Sequence, residues 1–287
     1  MYLKELRMVK VGVHVSIAGS IDRAVLRAQE SGCDTFQIFS RNPRGWAAKP
    51  LEEEDAIRFR EALATSGIAP TFDHMPYLPN LATPKDDLFE RSVSALQEEL
   101  LRAAALGIPY VVTHLGHHQG AGDEAGEARV IAALDRVVGE APPGVMLLLE
   151  NTAGEKNSVG SRLDSIARIL GACDCGSRLG VCFDTCHAFA AGYELRTRDG
   201  IEEILALFDE TIGLTRLRLV HCNDSKGALG SGLDRHEHVG LGAIGEEGFR
   251  LLLHRPELSG LPFICETPED GRRDGAGNIA KVRELAA

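Results

Sequence analysis

"RLGVCFDTCHAF", residues 178–189, places Leu179, Val181 and Phe183 on one strand parity and Cys182 on the other. A strand that is apolar on both faces belongs in a parallel sheet covered by helices. This one ends in a carboxylate, Asp184, with His187 three positions on. If the strand turns directly into helix, the two side chains become neighbours and can serve adjacent ions. Cys182 shares the parity of Asp184 and is expected to point to the inside of whatever the strands enclose.

The same design recurs along the chain. β-rich runs occupy 10–16, 34–40, 69–74, 109–115, 144–151, 178–185, 216–224 and 261–267. The segments between them read as helices with a period near 3.6, for example "LFERSVSALQEELLRAAALG" (88–107). Eight alternating units predict an α/β protein, a TIM (β/α)8 barrel forming a single domain over 10–287. A doubly wound open sheet is the competing fold. Residues 1–9 read as an extension ahead of the barrel, and no Pro-, Gly- or Ser-rich linker divides the chain.

Composition narrows the class. The chain has 287 residues, 44% apolar and 25% charged, which is ordinary for a globular domain. Neither a signal peptide nor a run long enough to span a membrane is present, so a cytoplasmic protein is expected. Seven cysteines without framework spacing fit a reducing compartment. Cys173 and Cys175 in "CDC", and Cys182 and Cys186 in "CFDTC", have the look of zinc thiolates. No second pair completes a four-ligand set, so buried structural cysteines are expected. The formal charge of −11 argues against a general polyanion binder. Three divalent ions would offset about half of that charge and focus the positive contribution in one cleft.

The ionisable residues gather at strand ends: His14, His74, His114, Glu150, Asp184, His221 and Glu266. Barrel active sites lie at that C-terminal mouth. A lone histidine there is commonly a core or capping residue, but a series at one rim is not explained that way. The loop "HCNDSKGALGSGLDRHEHVGLG" (221–242) adds Asp234 and His236. Two apart on extended backbone, this pair points one way, sends Arg235 the other and can chelate one ion. Imidazole with carboxylate suits zinc or manganese, and the number of histidines favours zinc. Cys222 and Cys265 have the opposite parity to His221 and Glu266 and should face the helices.

"CFDTCHAFAAGYEL", "HCNDSKGALGSGLDRHEHVGLGAIG", "LLLENTAGEKNSVG" and "ICETPED" closely resemble the endonuclease IV family of zinc-dependent apurinic/apyrimidinic endonucleases. The resemblance runs in register from about Val11 to the C-terminal helix. It implies three zinc ions, with manganese able to replace one. His74 and His114 would bind the first, and Glu150 would bridge the first and second. Asp184, His221 and Glu266 would complete the second, and His187, Asp234 and His236 would hold the third. Glu150, Glu266 and Asp184 are the carboxylates placed closest to the chemistry. His14, His117, His118 and His238 have no ligand role in that scheme. Asn151 and Asn223, next to ligands, would orient them by hydrogen bonds. Leu241 stands where the family usually carries an acidic residue.

The activity implied is hydrolysis of the phosphodiester 5′ to an abasic site in duplex DNA. The products are a 3′-hydroxyl and a 5′-deoxyribose phosphate, and blocked 3′ ends would also be removed. Zinc lowers the pKa of bound water toward ~7, so no protein nucleophile is required. Arg44 after the second strand, and Tyr77 and Leu78 after the third, would enter the duplex at the lesion. A cation with an aromatic and an apolar wedge is what unstacking a base step requires. Without the resemblance, Tyr77 and Leu78 would be read as packing on the rim. Lys226 is placed to meet a phosphate or to lie solvated in its loop. The chain is expected to work as a monomer. One alternative is a metal-dependent sugar isomerase or epimerase on a similar barrel, and the set His187, Asp234 and His236 argues against it. The other is a catalytically silent lesion-binding or metal-storage protein, which would be expected to lack a ligand.

Overall fold

Each predicted strand forms, and each is shorter than the apolar run that announces it. The computed structural model describes residues 9–47 and 49–287, so the expected extension lies, apart from Val9, outside the described residues. The strands are β1 (Lys10–Val13), β2 (Phe36–Ile38), β3 (Thr71–His74), β4 (Tyr110–His114), β5 (Met146–Glu150), β6 (Leu179–Asp184), β7 (Leu217–His221) and β10 (Pro262–Cys265). A two-stranded hairpin, β8 (Asp224–Ser225) with β9 (His236–Glu237), rises from the loop after β7.

Helices alternate with the strands: α1 (Arg23–Glu30), α2 (Glu53–Ser66), α3 (Asp86–Leu106), α4 (Asp123–Val137) and α5 (Leu163–Ala172). After β6 the crossover is split into a short α6 (Thr185–Ala190) and a longer α7 (Arg198–Thr211). The last two are α8 (Gly245–Leu253) and α9 (Gly275–Ala286). None of the described helices is long and apolar enough to cross a membrane.

All pairings among the eight barrel strands are parallel, in the order β1-β10-β7-β6-β5-β4-β3-β2. The ring closes where His14 bridges Gln37 and the Val15 N–H donates to the Gln37 carbonyl at 2.8 Å. Gly12 permits this approach: a Cβ there would lie 1.6 Å from the Thr35 carbonyl oxygen. The architecture is a single-domain TIM barrel, and the open-sheet alternative falls with the closure.

Strand pleat then positions the chemistry. Phe72, Val112, Leu148, Cys182, Leu219 and Ile264 form one sealed cluster inside the barrel. Two residues further along the same six strands, on the same face, stand His74, His114, Glu150, Asp184, His221 and Glu266. An apolar plug thus forms the floor beneath the polar mouth. Residues of the other parity, among them Leu147, Val181, Phe183, Val220, Cys222 and Cys265, pack in the outer core with the helices. The parity expectations for Cys182, Cys222 and Cys265 are met, and all seven cysteines are free.

Candidate metal centre

Glu150 ends β5 fully buried, and four imidazoles face it. Its Oε2 lies 3.1 Å from His74 Nε2 and 3.0 Å from His114 Nε2. Its Oε1 lies 3.0 Å from His221 Nδ1 and 3.3 Å from His187 Nδ1. One carboxylate therefore addresses two groups of donors, one with each oxygen. His221 Nδ1 is also 3.1 Å from Glu266 Oε2 and 3.8 Å from Asp184 Oδ2. A third group forms beside these, where Asp234 Oδ1 is 3.2 Å from His187 Nε2 and 3.3 Å from His236 Nε2. Donor atoms of His74, His114 and Glu150 lie within 4.8 Å of one another, as do those of His187, Asp234 and His236.

Local structure explains the convergence. Asp184 ends β6 and caps α6, accepting the His187 N–H at 2.8 Å, so strand does pass directly into helix. Asp234 and His236 come from beyond the barrel, folded back by the β8–β9 hairpin in which Ser225 pairs with His236. Buried Asp224 holds that loop, accepting N–H groups from Gly240, Gly242 and Ile244 at 2.9–3.0 Å. Gly242 has to be glycine, because a Cβ would sit 2.5 Å from both Asp224 Oδ1 and the Ser225 carbonyl.

Hydrogen bonds behind the cluster select which nitrogen each histidine presents. Nδ1–H of His74 donates to the Met75 carbonyl at 2.7 Å, that of His187 to Asn151 at 2.9 Å, and that of His236 to Glu266 at 3.0 Å. Each leaves Nε2 free to ligate, the arrangement usual for metal-binding imidazoles. His221 is turned the other way. Its Nε2–H donates to Gln37 Oε1 at 2.9 Å, so Nδ1 faces the carboxylates. Gln37 Nε2 in turn donates to Glu266 Oε1 at 2.6 Å and approaches His14 Nδ1 at 3.1 Å. Asn223 donates to Asp184 Oδ2 at 2.7 Å, whereas Asn151 clasps the Asp184 backbone. Sequence reasoning missed Gln37 and Asp224. The signal for Gln37 was an amide of inward parity in the otherwise apolar "DTFQIFS".

The electrostatics are those of a paired ionic array. Burial opposes ionisation of Glu150, yet the imidazoles of His114 and His221 hold its carboxyl well below the usual range. Burial likewise opposes Glu266, and His221 with His74 brings it down to about 2. His221 is lifted to about 9 against burial by Glu266 and Glu150, and His236 to about 9 against burial by Asp184 and Asp234. Protons here occupy the place that a cation would take. Four oriented imidazoles among carboxylates, each with its far nitrogen already bonded, fit divalent metal ions. The Cys182 thiol beneath them is pushed well up by burial and offers no ready nucleophile.

His14, His117, His118 and His238 stand beside the donor groups or away from them. His14 is held down to about 4 by burial and packs on Phe39. His118 Nδ1 accepts from Gly122 N–H at 2.9 Å. His238 sits between Asp270 and Asn278 at 3.0 Å from each. His117 is exposed and pairs through its backbone with Ser158. At the rim, Tyr77 is 64% exposed with its ring 5.3 Å from Phe39 and 6.2 Å from His114. Leu78 and Leu241 are exposed apolar residues, and Arg44 and Lys226 are exposed cations.

The family described as xylose isomerase-like TIM barrel matches residues 25–286. A protein of Methanoculleus marisnigri named "Probable endonuclease 4" is 63% identical over 97% of this chain and 99% of its own length. The chain belongs to the endonuclease 4 family. It is therefore a DNA repair nuclease of the deoxyribonuclease IV class. The crystal structure of endonuclease IV from Thermus thermophilus superposes with a TM-score of 0.85 at 37% identity, covering 96% of this chain and 98% of that one. A D-tagatose 3-epimerase-like protein reaches a TM-score of 0.72 at 20% identity over 96% of each chain, a likeness of fold alone.

Proposed function

We propose that this member of the endonuclease 4 family cleaves the phosphodiester 5′ to an abasic site in duplex DNA, using three divalent ions, chiefly zinc, at the barrel mouth. The observation that carries the reading is Glu150, whose Oε2 meets His74 and His114 while its Oε1 meets His221. A carboxylate divided in this way suits a bridge between two ions. His74 and His114 would complete the first site. Asp184, His221 and Glu266 would form the second, and His187, Asp234 and His236 the third.

Ions held there would polarise the phosphate and bring water into its nucleophilic form near neutral pH. The chain supplies the rest. Glu150, Glu266 and Asp184 are the catalytic carboxylates, and Asn223 and Gln37 fix the direction of two of them. Burial of the cluster over an apolar floor excludes bulk water from below. Tyr77, Leu78 and Arg44 enter the duplex at the lesion, a role supported by the exposure of a large aromatic ring beside His74 and His114. Blocked 3′ ends present the same phosphodiester geometry and are a second substrate. All nine ligands come from one chain, so a monomer suffices. Seven free cysteines fit the reducing cytoplasm.

A duplex carrying one abasic site is the decisive substrate. Incision 5′ to the site, abolished by a strong chelator and restored by zinc, is expected. Binding without incision under zinc-replete conditions would turn the reading to a silent lesion-binding protein. Ketose epimerisation in its place would turn it to the sugar enzymes.

A further inference from the structure

A second kind of metal donor lies at the opposite end of the barrel. Asp135 is in the last turn of α4, Cys173 directly follows α5, and Cys175 precedes the start of β6. Helices of this fold run back from the mouth, so all three residues are at the N-terminal face. The length of β6, about 15–20 Å, separates them from Asp184. That face carries stability in TIM barrels, not chemistry.

We infer that Cys173, Cys175 and Asp135 form a separate structural site for a thiophilic divalent ion, zinc in the first instance. The two Sγ atoms and a carboxylate oxygen of Asp135 all lie within 4.8 Å of one another. Cys173 is buried and extended in backbone, and Cys175 is half-buried beside it, so the C-x-C pair offers both sulfurs on one side. Asp135 is already drawn in, because its Oδ1 accepts the Asp174 N–H at 3.0 Å and lies 3.9 Å from Cys175 Sγ. The local backbone is held independently. Arg178 donates to the carbonyls of Val138, Ala141, Pro142 and Val145, spending its charge on the α4–β5 loop. Asp135 has no ion pair among the described residues.

Two thiolates and one carboxylate are a borderline-soft donor set that selects zinc over magnesium or calcium. Three protein ligands leave a fourth position for water on the exposed side of Cys175. On binding, the ion takes the place of the two thiol protons, which pass to solvent. It would tie the end of α4 to the α5–β6 turn. The mouth has no part in this, so the site stands whether or not the assignment of the catalytic ions holds.

Cobalt reports on the sulfurs, because thiolate-to-cobalt charge transfer gives near-ultraviolet absorption that imidazole and carboxylate ligands do not, and Cys175→Ser distinguishes this pair from Cys182 and Cys186 near the mouth. The full-length protein loaded with cobalt should show that absorption, and Cys175→Ser should lose at least about half of it. Elemental analysis of the zinc form should find one ion fewer per chain in Cys175→Ser and in Asp135→Asn. Melting temperature should fall roughly 3–8 °C in zinc, with the gap closing after chelation. Incision of abasic duplex should be unchanged. Parental metal content in both variants, or charge transfer of undiminished strength in Cys175→Ser, would overturn the site. Asp135→Asn guards against a folding defect peculiar to the cysteine variant.

Discussion

The carboxamide oxygen of Gln37 accepts the Nε2–H of His221 at 2.9 Å, and this contact makes His221 the one oriented imidazole of the cluster held through Nε2, with Nδ1 left to ligate. The same amide donates to Glu266, so one side chain aims two neighbours at one point. Gln37→Leu is expected to weaken metal binding at that point and to lower turnover about tenfold to a hundredfold. The Michaelis constant for abasic duplex should stay within about twofold, since no rim residue changes. Elemental analysis alongside kinetics checks this. Full metal content with parental turnover would make Gln37 a packing residue.

Glu266→Gln keeps volume but removes charge and one ligating oxygen. The fold should persist, because the Glu266 side chain bonds Gln37 and Asn223 rather than the apolar core. A loss of at least about a hundredfold in turnover at saturating DNA is expected, with far less change in binding. A variant that cleaves at the parental rate would remove Glu266 from the site.

Tyr77→Ala should leave metal content alone and reduce lesion affinity or turnover about tenfold to a hundredfold, if stacking is worth ~1–3 kcal/mol. Binding titrations on intact and abasic duplex give the comparison. Equal retention of both would return Tyr77 to the packing role that its contact with Phe39 also permits.

Without metal, the protein should lose stability as pH rises. His221 and His236 hold protons up to about 9, against an ordinary value of 6.5. Protons bound more tightly when folded contribute stability that is fully present below the unfolded value and is lost as pH climbs through the folded one. Glu266, held at about 2, works in the opposite direction: its contribution is present above its ordinary value and is lost as pH falls toward 2. Metal displaces the histidine protons, so the loaded enzyme should not share the alkaline loss. Melting temperature of the chelated protein should drop by roughly 5 °C or more between about pH 6.5 and 9.5, beyond any drop in the loaded form. Parallel curves for the two forms would contradict this.

Strand parity made much of the molecule legible from sequence. Apolar residues alternating with His74, His114, Glu150, Asp184, His221 and Glu266 indicated both an interior and a rim, because the pleat has a period of two. Strand ends were over-extended, since apolar character continues past the last ladder bond where the chain bends to aim a side chain. The split crossover after β6 and the β8–β9 hairpin left no periodic trace. Glu99 and Arg102 of α3 are charged yet buried. Glu99 pairs with Arg41 at 2.8 Å, and Arg102 bonds Ser40 Oγ at 2.9 Å. Charge compensation between residues so far apart in the chain has no local signature.

The barrel's closure between β1 and β2 is its thinnest joint, one bridge from His14 to Gln37 where every other neighbouring pair of strands shares a ladder. Cooperative units open at free energies set by their own contacts, and a joint of this kind opens at less than the global cost. Opening it carries Gln37 away from His221 and Glu266 while the other seven strand pairings persist. Heating should therefore silence the nuclease before it melts the protein. Activity lost in that interval should return on cooling, because the chain has only to shut a gap and not to refold.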